Sequence, residues 1–317
     1  MTITSLLTPT VIIALLAAGV RLATPILLAS LGELLSERAG VMNLGLEGVM
    51  LIGTLAGFVG SQLTHSPWVG ALAGFVLGGA AGLVVAFLCI SLYANQAIVG
   101  VVFNILGAGL TGFLFRVVYG IRTTSAPPKA AGFQPAALPL LKDIPWLGEI
   151  LFNQTPLVYL ALVLVLIEAI VLFRTRFGLN VRAVGGYAKA ADTMGINVYR
   201  VRYAAVILGG ALAGLGGAFL SLEMGIFRDS MTQGRGFIAI AIVTFAQWNP
   251  WGALAGSLLF GVADSLQLHL QAFGFKIPYQ FLLMLPYVLT VIVLIISSRQ
   301  ARPPSILGVP YIRDRKS

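Results

Sequence analysis

Nine apolar segments follow one another along this chain, and they restrict it to one solvent. They cover residues 9–31, 41–63, 68–92, 97–118, 156–173, 203–222, 237–248, 251–270 and 279–296. A helix that crosses a bilayer needs about 20 apolar residues. Eight of the segments come near that length. The other, 237–248, is too short to cross alone and reads as a half-helix, a re-entrant segment or a helix that starts before Gly236. Hydrophobic residues make up 58% of the 317 and charged residues only 10%, with a mean hydropathy of +0.95. Soluble domains carry roughly 25% charged residues. A chain this apolar would aggregate in water, so the bilayer is its solvent. The expected fold is all-α, a polytopic integral membrane protein of eight to ten transmembrane helices. One transmembrane domain spans 1–298 and a basic tail follows over 299–317.

The basic residues orient these spans. The stretch 174–202 reads RTRFGLNVRAVGGYAKAADTMGINVYRVR, with six Lys and Arg and a single acid, Asp192. Five more, Arg299, Arg302, Arg313, Arg315 and Lys316, follow Ser298. An excess of Lys and Arg beside membrane spans marks the cytoplasmic side. Four segments separate the two clusters, an even number, so both fit on the inside. The link 32–40 then also falls inside. The loop 119–155 falls outside, where Pro127, Pro128, Pro135, Pro139 and Pro145 predict an ordered cap. Arg122, Lys129 and Lys142 in that loop run against the rule. Nine spans place the N-terminus outside; a tenth would reverse it. Because the net charge of +9 gathers in juxtamembrane clusters, orientation and anionic lipid account for it and nucleic acid is not an expected partner.

The 174–202 stretch has internal architecture. Gly185 and Gly186 open it, a helix-compatible run over 187–194 follows, and Gly195 closes it. Glycine just past a helix end takes the left-handed conformation cheaply. The chain therefore presents a short, stopped helix to the cytoplasm, the shape of a docking element for a soluble partner. Other glycines are spaced for packing: Gly70, Gly74 and Gly78; Gly210 and Gly214 beside Gly209, Gly216 and Gly217; and, more loosely, Gly252, Gly256 and Gly261. Small residues four apart let helix backbones approach closely in lipid.

Few polar groups lie within the spans. Asn43 and Glu47, four apart, share a helical face, and Gly40, Gly45 and Gly48 around them predict a discontinuous second helix. Two readings stand side by side. Either this broken helix lines a translocation route, since exposed backbone at membrane depth is tolerated beside a cavity, or Glu47 sits near the surface, paired with Arg38 or a neighbouring chain. Asn104 is a further pathway candidate, and Asp264 is the deepest acid of the C-terminal half, suited to an interhelical bond or to lining a path. Glu168 is expected to pair locally with Arg174. Glu223, Arg228, Asp229 and Arg235 flank an outer loop. The lone Cys89 permits no intrachain disulfide and no metal site is expected. No GxxxxGK[ST] phosphate loop, HExxH, paired-Cys pattern or GxSxG elbow occurs, so the chain carries no visible ATPase or other enzyme motif. Any ATP-driven motor is a separate subunit.

Two stretches carry a resemblance. GELLSERAGVMNLGLEGVMLIG (32–53) and RTRFGLNVRAVGGYAKAADTMGINVYRVRYAAVILGGALAGLGGAFLS (174–221) resemble permease subunits of bacterial ABC importers, in the superfamily of simple-sugar and branched-chain amino-acid permeases. The first resembles the signature of the nucleoside-type branch, the second the coupling loop and the helix after it. RGFIAIAIVTFAQWNPWGALAGSLLFGVADSLQ (235–267) also fits, although at Ala246 and Gln247 the family often has a pair of glycines. The resemblance implies a multi-pass half-transporter of the bacterial cytoplasmic membrane, with a cytoplasmic C-terminus. Its implied partners are two ABC ATPase subunits, a second, related but different permease chain and an extracytoplasmic substrate-binding protein. It implies no cofactor in this chain, ATP and Mg being used by the ATPase. The coupling helix carries over to Gly185, Gly186, Tyr187, Lys189, Ala190, Ala191, Met194 and Gly195, with Ala190 and Ala191 small enough to sink into a groove. Nucleosides or related nucleobase compounds are the implied cargo. Simple sugars, riboflavin and branched-chain amino acids are the alternatives within the superfamily. An ion-coupled secondary transporter working alone and an intramembrane enzyme are the rivals outside it.

Overall fold

The structure is a computed structural model, and it describes residues 8–120, 128–137, 145–272, 279–298 and 302–313. Arg122, Pro127, Pro139, Lys142, Arg299, Arg315 and Lys316 lie outside the described residues. Each apolar segment of the sequence is largely helical, but 41–45 precedes its helix and 279–296 is divided between two short helices. Seven helices are long and apolar enough to cross a membrane: α1 (Pro9–Arg38), α2 (Leu46–Thr64), α3 (Pro67–Ala86, continued by a wider turn over Phe87–Ser91), α4 (Gln96–Tyr119), α6 (Pro156–Arg174), α8 (Val198–Met224) and α10 (Pro250–Ala272). Shorter helices are α5 (Leu147–Leu151), α7 (Arg176–Thr193), α9 (Arg235–Phe245), α11 (Tyr279–Leu283) and α12 (Leu285–Ser298). Strands β1 (Ala136–Ala137) and β2 (Asn153–Gln154) pair antiparallel.

The centre of the bundle is α8, packed against α1, α2 and α3. It packs this closely because its glycines carry no side chain. A Cβ on Gly217 would overlap the carbonyl oxygen of Met50 on α2, and one on Gly214 that of Gly74 on α3. Thr54 ties the α2–α8 seam, its hydroxyl donating to Met50 O at 2.8 Å or to Gly217 O at 3.2 Å. By contrast α4 buries only the stripe Gln96, Val99, Gly100, Phe103, Gly107, Thr111 and Gly112, leaving residues such as Ile105, Phe113 and Val117 exposed.

The two ends of the bundle differ. At one, residues 128–137 cap the α2–α3 turn and the end of α8: Ser61 Oγ donates to Ala131 O at 2.6 Å, Ala130 N to Gly225 O at 2.9 Å, and Phe133 stacks edge-on against Trp68. Gln154 Nε2 donates to Ala17 O at 3.2 Å, which brings the first turns of α1 to this cap. At the other end lie the C-terminus of α1, α7 and residues 302–313. The two regions that the basic residues assign to the inside therefore meet at one end.

One boundary differs from the sequence expectation and one of the readings offered for 237–248 is met. First, 32–40 is not a link, because α1 continues to Arg38 and carries Glu33 and Glu37 as its last two buried turns. The break falls at 39–45, ahead of α2, so Asn43 lies outside that helix and shares no helical face with Glu47. Second, a discontinuity also falls at α9. That helix has 11 residues, about 16 Å at 1.5 Å per residue, half of a bilayer core of about 30 Å. The chain reaches it from the cap end by an irregular descent. Phe227 packs on Phe58 and Phe115, and Met231 and Thr232 are buried. It is thus a half-helix that begins inside the bundle.

Candidate functional site

The N-terminus of α9 and the first turn of α2 meet at a buried carboxylate. Glu47 Oε1 accepts from Thr232 Oγ1 at 2.5 Å and Gly234 N at 2.7 Å, and Oε2 accepts from Gly236 N at 2.7 Å. The first amides of a helix have no partner within it, and its N-terminal end carries partial positive charge. An anionic side chain is the complement of both. The approach needs Gly236, since a Cβ there would lie 2.6 Å from the main chain of Glu47. Arg235, between the two amides, turns the other way and pairs with Asp264 Oδ2 on α10 at 3.0 Å. Their side chains are 13% and 18% exposed, so Arg235 belongs to the interior rather than to an outer loop. Glu47 and Asp264 are therefore joined through residues 234–236, which sequence reasoning did not foresee. Arg38 does not pair with Glu47; its guanidinium donates to Trp248 O at 2.7 and 2.9 Å.

Asn43 and Asn104 hold the break before α2. Asn43 N donates to Glu33 Oε1 at 2.7 Å, and its side-chain oxygen accepts from Gly45 N at 3.1 Å. Asn104 donates to Leu44 O and accepts from Gly48 N, both at 2.9 Å. Each amide satisfies backbone groups freed by the break, a requirement at membrane depth. Beside the Arg235–Asp264 pair lies a hollow of about 80 Å³ lined in part by Gln233, Gln267 and Tyr287. Glu168 does not meet Arg174. It is buried, and both its carboxylate oxygens lack a hydrogen-bond partner among the described residues.

At its other end α9 stops in two left-handed residues, Gln247 (φ 53°) and Trp248 (φ 54°), where the resembling family often has glycines one position earlier. Non-glycine residues in that region cost roughly 1–2 kcal/mol each. Here the end of α1 holds them: Trp248 Nε1 donates to Glu37 Oε2 at 2.5 Å, opposite the Arg38 bonds to its carbonyl. None of Glu33, Glu37, Thr232, Arg235 or Trp248 was singled out as a site residue from the sequence. The Gly234–Gly236 bracket around Arg235 was the available signal.

The short helix in the basic stretch is present. The main chain of α7 leaves helical values at Tyr187 (φ −155°, ψ 90°), resumes, and stops at Met194 and Gly195, the latter at φ +84°. Gly195 N returns to Asp192 O at 2.9 Å and Ile196 N to Ala191 O at 3.0 Å. Tyr187, Lys189, Ala190, Met194 and Gly195 are exposed, Met194 by 82%, and Gly186 has open space around it. Gly185 and Ala191 are buried instead. A Cβ on Gly185 would overlap the Arg38 carbonyl, and Ala191 is only 5% exposed. Those two seat the turn on the bundle.

A bundle of membrane-spanning helices, broken at a half-helix held by a buried acid and bearing a stopped helical turn within a basic stretch at one end, has the architecture of a transmembrane permease. The chain belongs to the family of branched-chain amino acid transport system permease components, which it matches over residues 15–297. It is 40% identical to the guanosine ABC transporter permease protein NupQ of Bacillus subtilis, over 93% of this chain and 95% of that one. It is 46% identical to the putative glucose ABC transporter permease protein TsgC13 of Haloferax volcanii, over 81% and 78%. It is 40% identical to the nucleoside ABC transporter permease protein NupC of Lactococcus lactis, over 92% and 94%. No solved structure matches the chain.

Proposed function

We propose that this chain is one transmembrane half of an ATP-driven nucleoside importer in a bacterial cytoplasmic membrane, with its C-terminus inside. Its identity to permeases named for guanosine and for nucleosides over nearly the whole chain carries the cargo assignment. Two of the interior acids are already engaged, Glu47 by the α9 N-terminus and Asp264 by Arg235, so those two offer neither a counter-charge to an ion nor a relay to a proton. A glucose-type cargo is the second reading, favoured by the relative named for it.

The hollow of about 80 Å³ beside the Arg235–Asp264 pair is well below the roughly 300 Å³ at which small-molecule sites begin, so it does not hold a cargo by itself. In this reading a second permease, a related and different chain, completes the cargo path. An extracytoplasmic binding protein delivers the cargo, and ABC ATPase subunits bind and hydrolyse ATP with Mg. They grip the turn at Tyr187, Lys189, Ala190 and Met194, and their closure tilts the two permease halves so that the path changes the side it faces.

In proteoliposomes holding the complete assembly, labelled guanosine should enter with ATP and be competed by other nucleosides but not by glucose. The reverse pattern of competition would replace the nucleoside reading with the sugar one. Ala190→Trp and Lys189→Glu should each cut uptake at least tenfold while ATP hydrolysis persists and the permease stays folded. Normal ATP-driven uptake in both variants would remove the turn as the docking site.

A further inference from the structure

Residues 302–313 do not trail away from the bundle. Ile306 N donates to Gly185 O at 3.3 Å, and Gly308 N to Gly40 O at 3.2 Å. Arg202, on α8, is 2% exposed and reaches between two main-chain carbonyls, Ala39 O at 3.2 Å through Nε and Val309 O at 3.1 Å through Nη1. Ala39 caps the C-terminus of α1, so the guanidinium also faces the negative pole of that helix. Tyr199 Oη donates to Tyr311 O at 3.3 Å, and the two rings meet edge-on at 5.7 Å. The Tyr311 phenol is pushed up to about 12 by burial and by its hydrogen bond to the Asp192 carboxylate, so it stays protonated. Arg313 Nε pairs with Asp192 Oδ2 at 3.0 Å. That pair is two-thirds exposed on the arginine side and contributes little by itself; the main-chain bonds and the buried Arg202 and Tyr311 fix the segment.

These contacts join two elements. One is the turn of α7, gripped through Gly185 and Asp192. The other is the 39–45 break, gripped through Ala39 and Gly40, which leads directly to Asn43 and Glu47. A tail serving only as a lipid anchor would have no use for carbonyls of the bundle or for Asp192. We propose that residues 302–313 form a mechanical strap that makes the α7 turn and the 39–45 segment move as one body, so that displacement of the turn reaches the Glu47 seam. The strap rests on the reading of that turn as the ATPase contact.

The test uses the complete transporter in proteoliposomes and measures cargo taken up per ATP hydrolysed. A chain ending at Ser298 should still co-purify with the ATPase and support hydrolysis, with uptake per ATP lowered at least tenfold. An unchanged ratio overturns the strap, and so does loss of the ATPase, which would make the segment a prop for the turn. Should the shortened chain fail to accumulate, the double variant Tyr311→Ala/Arg313→Ala decides: at least a threefold fall is expected, and no fall overturns the proposal. Asp192→Cys/Arg313→Cys in a Cys89→Ser background adds a disulfide between strap and turn. Uptake should survive oxidation, because the two travel together; arrest reversed by reductant would show that they must separate and would overturn it. If the unmodified assembly shows no ATP-driven uptake at all, the function fails rather than the strap.

Discussion

Gly217→Val abolishes accumulation of the folded chain in the membrane. The α2–α8 seam leaves no room at this position, since even a methyl group would overlap the Met50 carbonyl oxygen. That carbonyl cannot step aside without breaking the bond from Thr54, whose hydroxyl also reaches Gly217 O. In water a core helix can shift and still gain from burying the added carbons. Between helices in lipid the contact itself is the driving force, because lipid tails are as apolar as any side chain. Inserting methylenes into a packed interior typically costs 1–3 kcal/mol, occasionally more. Here the displaced atoms are backbone on both sides, and α8 also holds α1 and α3. The expected readout is loss of the monodisperse detergent-extracted peak. Gly109→Val, where nothing lies within 4 Å, serves as the control and should accumulate normally. Equal accumulation of the two variants would mean that α2 and α8 are not in the contact described.

Glu47→Leu has the second largest effect. It removes three hydrogen bonds at once and leaves the buried Thr232 hydroxyl and Gly236 amide, with the half-buried Gly234 amide, without their acceptor. A bond to a charged group is worth about 1.5–3 kcal/mol, and each abandoned donor costs about 1–3 kcal/mol; the terms overlap, so a net loss of about 3 kcal/mol or more is expected. Uptake should fall below a tenth, with a lowered melting temperature in detergent. Glu47→Gln should fall between the two proteins, because its amide accepts through one oxygen and sets its own N–H groups against the remaining donors. Were the leucine variant to match the unaltered protein in melting temperature and uptake, the acid would have no part in holding the half-helix.

The spans were legible because hydropathy at bilayer length is a direct physical requirement. The two basic stretches share one end of the bundle, as a common side for both requires, and the stopped turn before Gly195 follows from glycine stereochemistry. Partners across the bundle were not legible. Glu47 and Gly236 lie 189 positions apart, and nothing local in ELLSERAGVMNLGLEG shows that an acid will cap a half-helix from another part of the chain. The break was foreseen near Gly40–Gly48 but placed inside α2, since three glycines in a row of apolar residues do not reveal which of them leaves the helix. Only Gly40 takes positive φ there. The sequence places Arg235 beside an outer loop with Glu223, Arg228 and Asp229; the descent of 226–234 into the bundle is tertiary and leaves no periodic trace. Size alone groups Ala191 with Ala190, but neighbours on a helix point about 100° apart, and of the two only Ala190 faces outward.

The central claim is that the α7 turn faces the cell interior and is held there by an ATPase. A photo-crosslinking residue placed at Met194, an exposed position of the turn at 82%, tests it in intact cells. The account predicts a covalent adduct between this chain and the ATPase subunit, together with no labelling of position 194 by an impermeant reagent added outside. Labelling from outside, with no ATPase adduct, would contradict it.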